Sequence, residues 1–73
     1  MTRELRSPGV GRVLEVLVAA GSNVGAGDEL VVIESMKVEI PVAAPVAGRV
    51  SHVAVAPGAQ VQADDLLVTL VPA

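Results

Sequence analysis

The chain has 73 residues, a formal net charge of −3 and 52% hydrophobic residues, but no Phe, Tyr, Trp or Cys. A chain of this length makes one small domain, and without cysteine it has neither a disulfide framework nor a thiolate metal site. Its acidic balance argues against nucleic acid or an anionic membrane as partner.

The core has to be built from Val, Leu, Ile and Ala, and the abundant β-branched valine favours strands over helices. The opening Met1-Thr2-Arg3-Glu4-Leu5-Arg6 is charged, with no apolar segment behind it, so no secretory leader is legible. Apolar runs such as Val16-Leu17-Val18-Ala19-Ala20 fall far short of the ~20 residues that span a bilayer. A cytoplasmic protein is the expectation.

Val13 to Val18 reads as a strand, and Ala20-Gly21 as a turn. A short extended stretch follows around Val24, then a turn at Gly25-Ala26-Gly27-Asp28, then an apolar strand from Leu30 to Glu34. The same string returns later as a strand from Val50 to Val55, a turn at Pro57-Gly58 and an extended stretch around Val61. A turn at Gln62-Ala63-Asp64-Asp65 and a strand from Leu66 to Val71 complete it. Shifting the sequence by 37 residues superposes the two halves, about 8–36 and 45–73. Pro8 then falls on Pro45, Gly11-Arg12-Val13 on Gly48-Arg49-Val50, Gly21 on Gly58 and Asp28 on Asp65.

The pairing of Gly27 with Asp64 predicts a left-handed corner in both halves, since Asp tolerates φ > 0 better than most residues. Two repeats are too few for a solenoid, but two four-strand units can close on each other about a pseudo-two-fold axis. No capping signal leads into a stripe at helical spacing, and Pro41, Pro45 and Pro57 oppose helix. The expected fold is all-β: a flattened barrel or sandwich of two four-stranded sheets.

Between the halves, Leu30-Val31-Val32-Ile33 leads into Glu34-Ser35-Met36-Lys37, and the alternating Val38-Glu39-Ile40-Pro41-Val42 leads out. This is a β-hairpin with Met36-Lys37 at its tip. The tip lacks the Asn-Gly or Asp-Gly that a tight hairpin prefers, so side chains are kept there at a backbone cost. Lys37 is the only lysine in the chain. Pseudo-symmetry places the tip at the end opposite the termini, where an amine is exposed to another protein.

At these residues the chain resembles the biotinyl/lipoyl attachment domains, specifically the biotin carboxyl carrier type. Glu34-Ser35-Met36-Lys37 matches the family's Glu-(Ala/Ser)-Met-Lys attachment motif. Ala44-Pro45-Val46-Ala47-Gly48-Arg49-Val50 resembles its Ala-Pro-x-x-Gly-x-Val segment, and Pro57-Gly58-Ala59-Gln60-Val61 its Gly-x-x-Val stretch. Pro8-Gly9-Val10-Gly11-Arg12-Val13 resembles the family's opening segment. The resemblance covers nearly the whole chain as one domain, residues 1–73. The family usually has Met where Val38 stands and Gly where Asp64 stands.

The resemblance implies covalent biotin on Lys37, flanked by Glu34, Ser35, Met36 and Val38 as the attachment segment. Lipoyl domains typically present Asp-Lys-Ala at the site, so Met36 favours biotin over lipoate, and a soft apolar side chain there suits a ligase contact. It also implies three partners: a biotin–protein ligase, a biotin carboxylase that loads the ring, and a carboxyltransferase that unloads it. A lysine amine in water has a pKa of about 10.4 and is a weak nucleophile near neutrality, so activation belongs to the ligase. On this reading the protein is a carrier and not an enzyme, and it is a monomer on its own. Met1 and the lack of an Ala/Pro-rich linker favour a free-standing carrier.

Three other readings stand beside it. The same fold could serve as a lipoyl carrier of a 2-oxo acid dehydrogenase-type system, or as an unmodified interaction module. A Schiff-base enzyme would need Lys37 desolvated in a pocket. His52, without a second His or clustered acids, reads as a solvated strand residue. Asp28-Glu29 and Asp64-Asp65 read as turn and surface acids.

Overall fold

The computed structural model describes residues 1–73. Eight strands form: β1 (Arg3–Arg6), β2 (Gly11–Val16), β3 (Asn23–Val24), β4 (Glu29–Ser35), β5 (Val38–Ala43), β6 (Gly48–Val53), β7 (Gln60–Val61) and β8 (Leu66–Pro72). They make two four-stranded sheets, ordered β1-β8-β6-β3 and β5-β4-β2-β7, with every pairing antiparallel. No helix is long and apolar enough to cross a membrane.

The 37-residue offset relates the strands as β1/β5, β2/β6, β3/β7 and β4/β8. The repeat thus extends beyond 8–36 and 45–73 to take in β1 and β5, which gives each half four strands, but neither half makes a sheet alone. Each sheet takes two strands from either half, so the halves interleave instead of lying face to face as two separate units. Cross-half pairing hides backbone edges that two separate four-strand units would leave open. The irregularities repeat too. A register shift between Val13 and Glu15 on β2 has its image between Val50 and His52 on β6. The shift between Glu29 and Val31 lets the adjacent Leu30 and Val31 both be fully buried, and Leu67 and Val68 repeat this in β8.

The turns explain why certain residues recur. Asp28 accepts a hydrogen bond from the Gly25 amide at 2.8 Å, and Asp65 accepts one from the Gln62 amide at 2.8 Å. Each carboxylate closes its own β-turn, which accounts for the pairing of Asp28 with Asp65. The left-handed corner is present in both halves, with φ 89° at Gly27 and 68° at Asp64. Arg6 donates to the Asp64 carbonyl at 2.9 Å and braces the costlier of the two corners.

β2 and β6 begin two residues earlier than hydrophobic alternation suggests, because Gly11 and Gly48 belong to the strands. A side chain at Gly11 would collide with the Glu34 carbonyl, and one at Gly48 with the Val71 carbonyl. Glycine inside a strand commonly marks such a close backbone approach.

The core joins both sheets: Val13, Leu30, Val31, Ile33, Ala44, Val50, Val61, Leu67, Val68 and Leu70 are buried in one cluster. With no aromatic side chain available, small branched residues fill a thin body of 34 × 17 × 16 Å. Loops add clasps across the halves. The Gly21 amide donates to the Val50 carbonyl at 2.7 Å, and the Gly58 amide donates to the Val13 carbonyl at 2.8 Å.

Candidate functional site

β4 and β5 run antiparallel and pair up to Ser35 and Val38, leaving Met36 and Lys37 as the whole turn. Both turn residues have positive φ, 52° and 64°, which defines a type I′ turn. Its handedness matches the twist of the flanking strands, but non-glycine residues pay about 1–2 kcal/mol each to adopt it. Asn and Gly would fit more cheaply. The expected backbone cost is therefore real and falls on the lysine and the residue before it.

Connectivity shows where the tip lies. β5 carries the chain from Val38 down to Ala43, and after four intervening residues β6 starts at Gly48, opposite Pro72. Arg3 lies opposite Leu70 beside it. The paired ends of the chain thus sit at the pole remote from Lys37, as the pseudo-symmetry predicts. The molecule's one cleft, about 360 Å³, is also at that remote pole and includes Asn23, Arg49, Val71 and Pro72.

The five residues from Glu34 to Val38, expected to form the attachment segment, divide into two groups. Met36 (94% exposed), Lys37 and Val38 project from the end of the barrel. No hydrogen bond or ion pair engages the Lys37 amine. Glu34 and Ser35, in contrast, belong to the base. Glu34 lies 3.7 Å from the Arg12 guanidinium on the adjacent strand. The Ser35 hydroxyl donates to the Val10 carbonyl at 2.7 Å. Arg12, Glu34 and Glu39 fall in one row across β2, β4 and β5, so Arg12 offsets the Glu34 carboxylate, which directly faces the like charge of Glu39.

Sequence reasoning overlooked Arg12, Val10 and Ser7 as parts of this end. The signal for Arg12 is in the repeat. Arg12 and Arg49 are equivalent, but only Arg12 faces an acid, because Val71 stands where Glu34 does. Ser7 is buried, with its hydroxyl donating to the Gly9 carbonyl at 2.7 Å and its amide donating to the Asp65 carbonyl at 2.8 Å. It shapes the loop from 7 to 10 that leans on the tip. Its counterpart is the apolar Ala44, so the repeat gave no hint of a hydroxyl with this duty.

A free primary amine on a rigid, exposed turn, remote from any cleft, suits covalent attachment of an acyl group. It does not suit chemistry that needs a desolvated lysine. Comparison with known proteins agrees. The family model for "Biotin-requiring enzyme" matches residues 3–70. The "Biotinylated protein TB7.3 homolog" of Mycobacterium leprae (strain TN) is 52% identical over 46 residues, covering 63% of this chain and 65% of that protein. The protein of the same description from Mycolicibacterium smegmatis is 52% identical over 44 residues, covering 60% of this chain and 62% of that one. The chain thus matches less than two thirds of the length of these curated relatives.

Among solved structures, a single-chain, multi-domain long-chain acyl-CoA carboxylase superposes with a TM-score of 0.93 at 38% identity, covering 99% of this chain and 7% of that one. The Kluyveromyces lactis urea carboxylase superposes with a TM-score of 0.90 at 35% identity, covering 97% of this chain and 6% of its own.

Proposed function

Because the chain belongs to the biotinyl/lipoyl attachment domain family, we propose that it is a biotin carrier in which Lys37 bears biotin through an amide bond. The observation that carries this reading is the tip itself: the chain's only lysine, exposed and unpaired, on a left-handed turn beside Met36. The relatives described as biotinylated proteins and the presence of Met36 favour biotin over lipoate.

In the attachment step, the Lys37 amine, having given up a proton, attacks the acyl carbon of a biotinyl-adenylate held by a biotin–protein ligase. The C–N bond forms, the bond from the acyl carbon to the phosphate oxygen breaks, and AMP leaves with the electron pair. The formal net charge then falls from −3 to −4. Once attached, biotin supplies a ring nitrogen that accepts and gives up a carboxyl group.

The chain's own part is to present and to hold. The type I′ turn fixes the origin of the arm, and the Arg12–Glu34 pair and the Ser35 bond steady its base. The exposure of Lys37 leaves the arm free to enter a biotin carboxylase and then a carboxyltransferase. Tethering keeps the ring at high effective concentration for both. In this reading the carrier is a monomer, works in the cytoplasm and leaves bond-making to its partners.

The test is the intact mass of the protein from cells with an active ligase, with and without Lys37→Arg. A biotin-sized increment that vanishes in the variant supports the carrier. A lipoyl-sized increment moves the reading to the lipoyl class, and no increment moves it to an interaction module.

A further inference from the structure

We propose that Val10 belongs to the surface by which the biotin–protein ligase recognises the tip, with Ser35 as the positioning residue that holds it there. The proposal rests on the biotin-carrier reading. Five large hydrophobic side chains are exposed in this protein: Met1, Val10, Leu17, Met36 and Val38. Three of them meet at the lysine pole. Met36 and Val38 flank Lys37 in sequence, whereas Val10 arrives from the loop before β2 and is 59% exposed. Single exposed apolar residues need no explanation, but a cluster around one functional group marks a contact surface.

The repeat shows that this end is built differently from its image. At the remote pole the Ala73 amide donates to the Ala47 carbonyl at 2.9 Å. The equivalent bond would join Met36 to Val10, and it is not formed. The Ser35 hydroxyl accordingly takes up the Val10 carbonyl at 2.7 Å. Ser35's own counterpart is Pro72, with no hydroxyl, and Val10's is the small Ala47. The loop is pinned at its other end by buried Ser7. An exposed apolar residue is therefore tied through its carbonyl to the base of the tip at this pole, and the other pole has no counterpart.

Charge selects the occupant. Glu34 and Glu39 stand directly opposite each other on β4 and β5, and Arg12 offsets only one of them. Two such tips facing each other would repel, which disfavours a second copy. A ligase surface with an apolar floor and a basic rim complements both the Val10–Met36–Val38 patch and the carboxylates.

The experiment is steady-state biotinylation of the full chain by a biotin–protein ligase supplied with biotin and ATP, comparing wild type with V10D, V10S, S35A and S35T. V10D is expected to lower kcat/KM about tenfold through KM, as for a truncated interface anchor, with V10S smaller in the same direction. S35A is expected to lower it about threefold, and S35T, which restores the hydroxyl, to return it to within about twofold of wild type. Circular dichroism melts of all four should stay near wild type, separating recognition from folding. Val10 variants with kcat/KM within about twofold of wild type, or a loss in kcat alone, would overturn this proposal and leave the carrier reading intact. A wild-type dimer broken by V10D would overturn it in favour of a second copy. Failure of the wild type to be modified at Lys37 would overturn the carrier reading and this inference together.

Discussion

Replacing Met36-Lys37 with Asn-Gly should stabilise the fold while abolishing the attachment site. Both turn residues are left-handed, with φ 52° and 64°, at a cost of about 1–2 kcal/mol per L-residue. Glycine at 37 removes one penalty but gives back roughly 0.4–1 kcal/mol through the greater entropy of its unfolded chain. Asparagine at 36 tolerates the conformation and removes part of the other. The sum is a gain of about 1–2 kcal/mol. Neither side chain is engaged in the fold, so little is lost against it. For a domain of this size each kcal/mol raises Tm by about 4–8 °C, so a rise of roughly 5–15 °C is expected. The chain has no aromatic residue, so the assay is urea and thermal unfolding followed by far-ultraviolet circular dichroism. The m-value should not change, because the surface exposed on unfolding does not. Lys37→Arg serves as the control, within about 0.5 kcal/mol of wild type. An unchanged or lowered midpoint for the Asn-Gly variant would refute the claim that the tip carries backbone strain.

Gly11→Ala and Gly48→Ala should each cost about 1–3 kcal/mol in urea midpoints, since the new methyl meets a backbone carbonyl that cannot turn away. Gly9→Ala, which has open space around it, should stay within about 0.5 kcal/mol. Leu67→Ala, in the fully buried core, should cost about 2–5 kcal/mol, a large share of a total stability near the lower end of 5–15 kcal/mol, and a flattened or absent melting transition would report it. Asp28→Ala and Asp65→Ala should each cost about 1 kcal/mol and resemble each other, because both remove the same turn-closing bond. Arg12→Ala should change stability by less than about 1 kcal/mol, as both partners are substantially exposed.

Much of this architecture is legible in the sequence because it is written twice. Pro8/Pro45, Gly21/Gly58 and Asp28/Asp65 mark turns whose chemistry is local, and local chemistry reads directly from residue type. The hairpin and its tip are legible for the same reason. β1 is not. Arg3-Glu4-Leu5-Arg6 has one half-buried side chain, Leu5, and is a strand because β8 offers it a backbone ladder, a long-range cause with no local pattern. The starts of β2 and β6 are hidden because their first residue is glycine, which reads as a turn until the opposing carbonyl is seen. The interleaving of the halves is likewise a matter of pairing across some 60 residues of chain. At the site, Lys37 and Met36 stand out by composition and motif. Val10 and Ser35 become a unit only through a hydrogen bond between residues 25 apart.

The pairing of β1 with β8 has one more consequence. Arg3 lies opposite Leu70 as Ile40 lies opposite Ile33, so the chain ends form the image of the β4–β5 hairpin with its turn cut open. A short type I′ link from residue 73 to residue 1 would close the backbone into a ring with two equivalent poles. Placing Glu-Ser-Met-Lys in that link would give a ring with two swinging arms, pointing in opposite directions from one rigid body. Cutting the ring at Met36 instead would give a circular permutant that keeps the core and moves the single arm to the other pole. The strand framework repeats at both ends; it is Glu-Ser-Met-Lys and the loop tied to it that make one pole the working one.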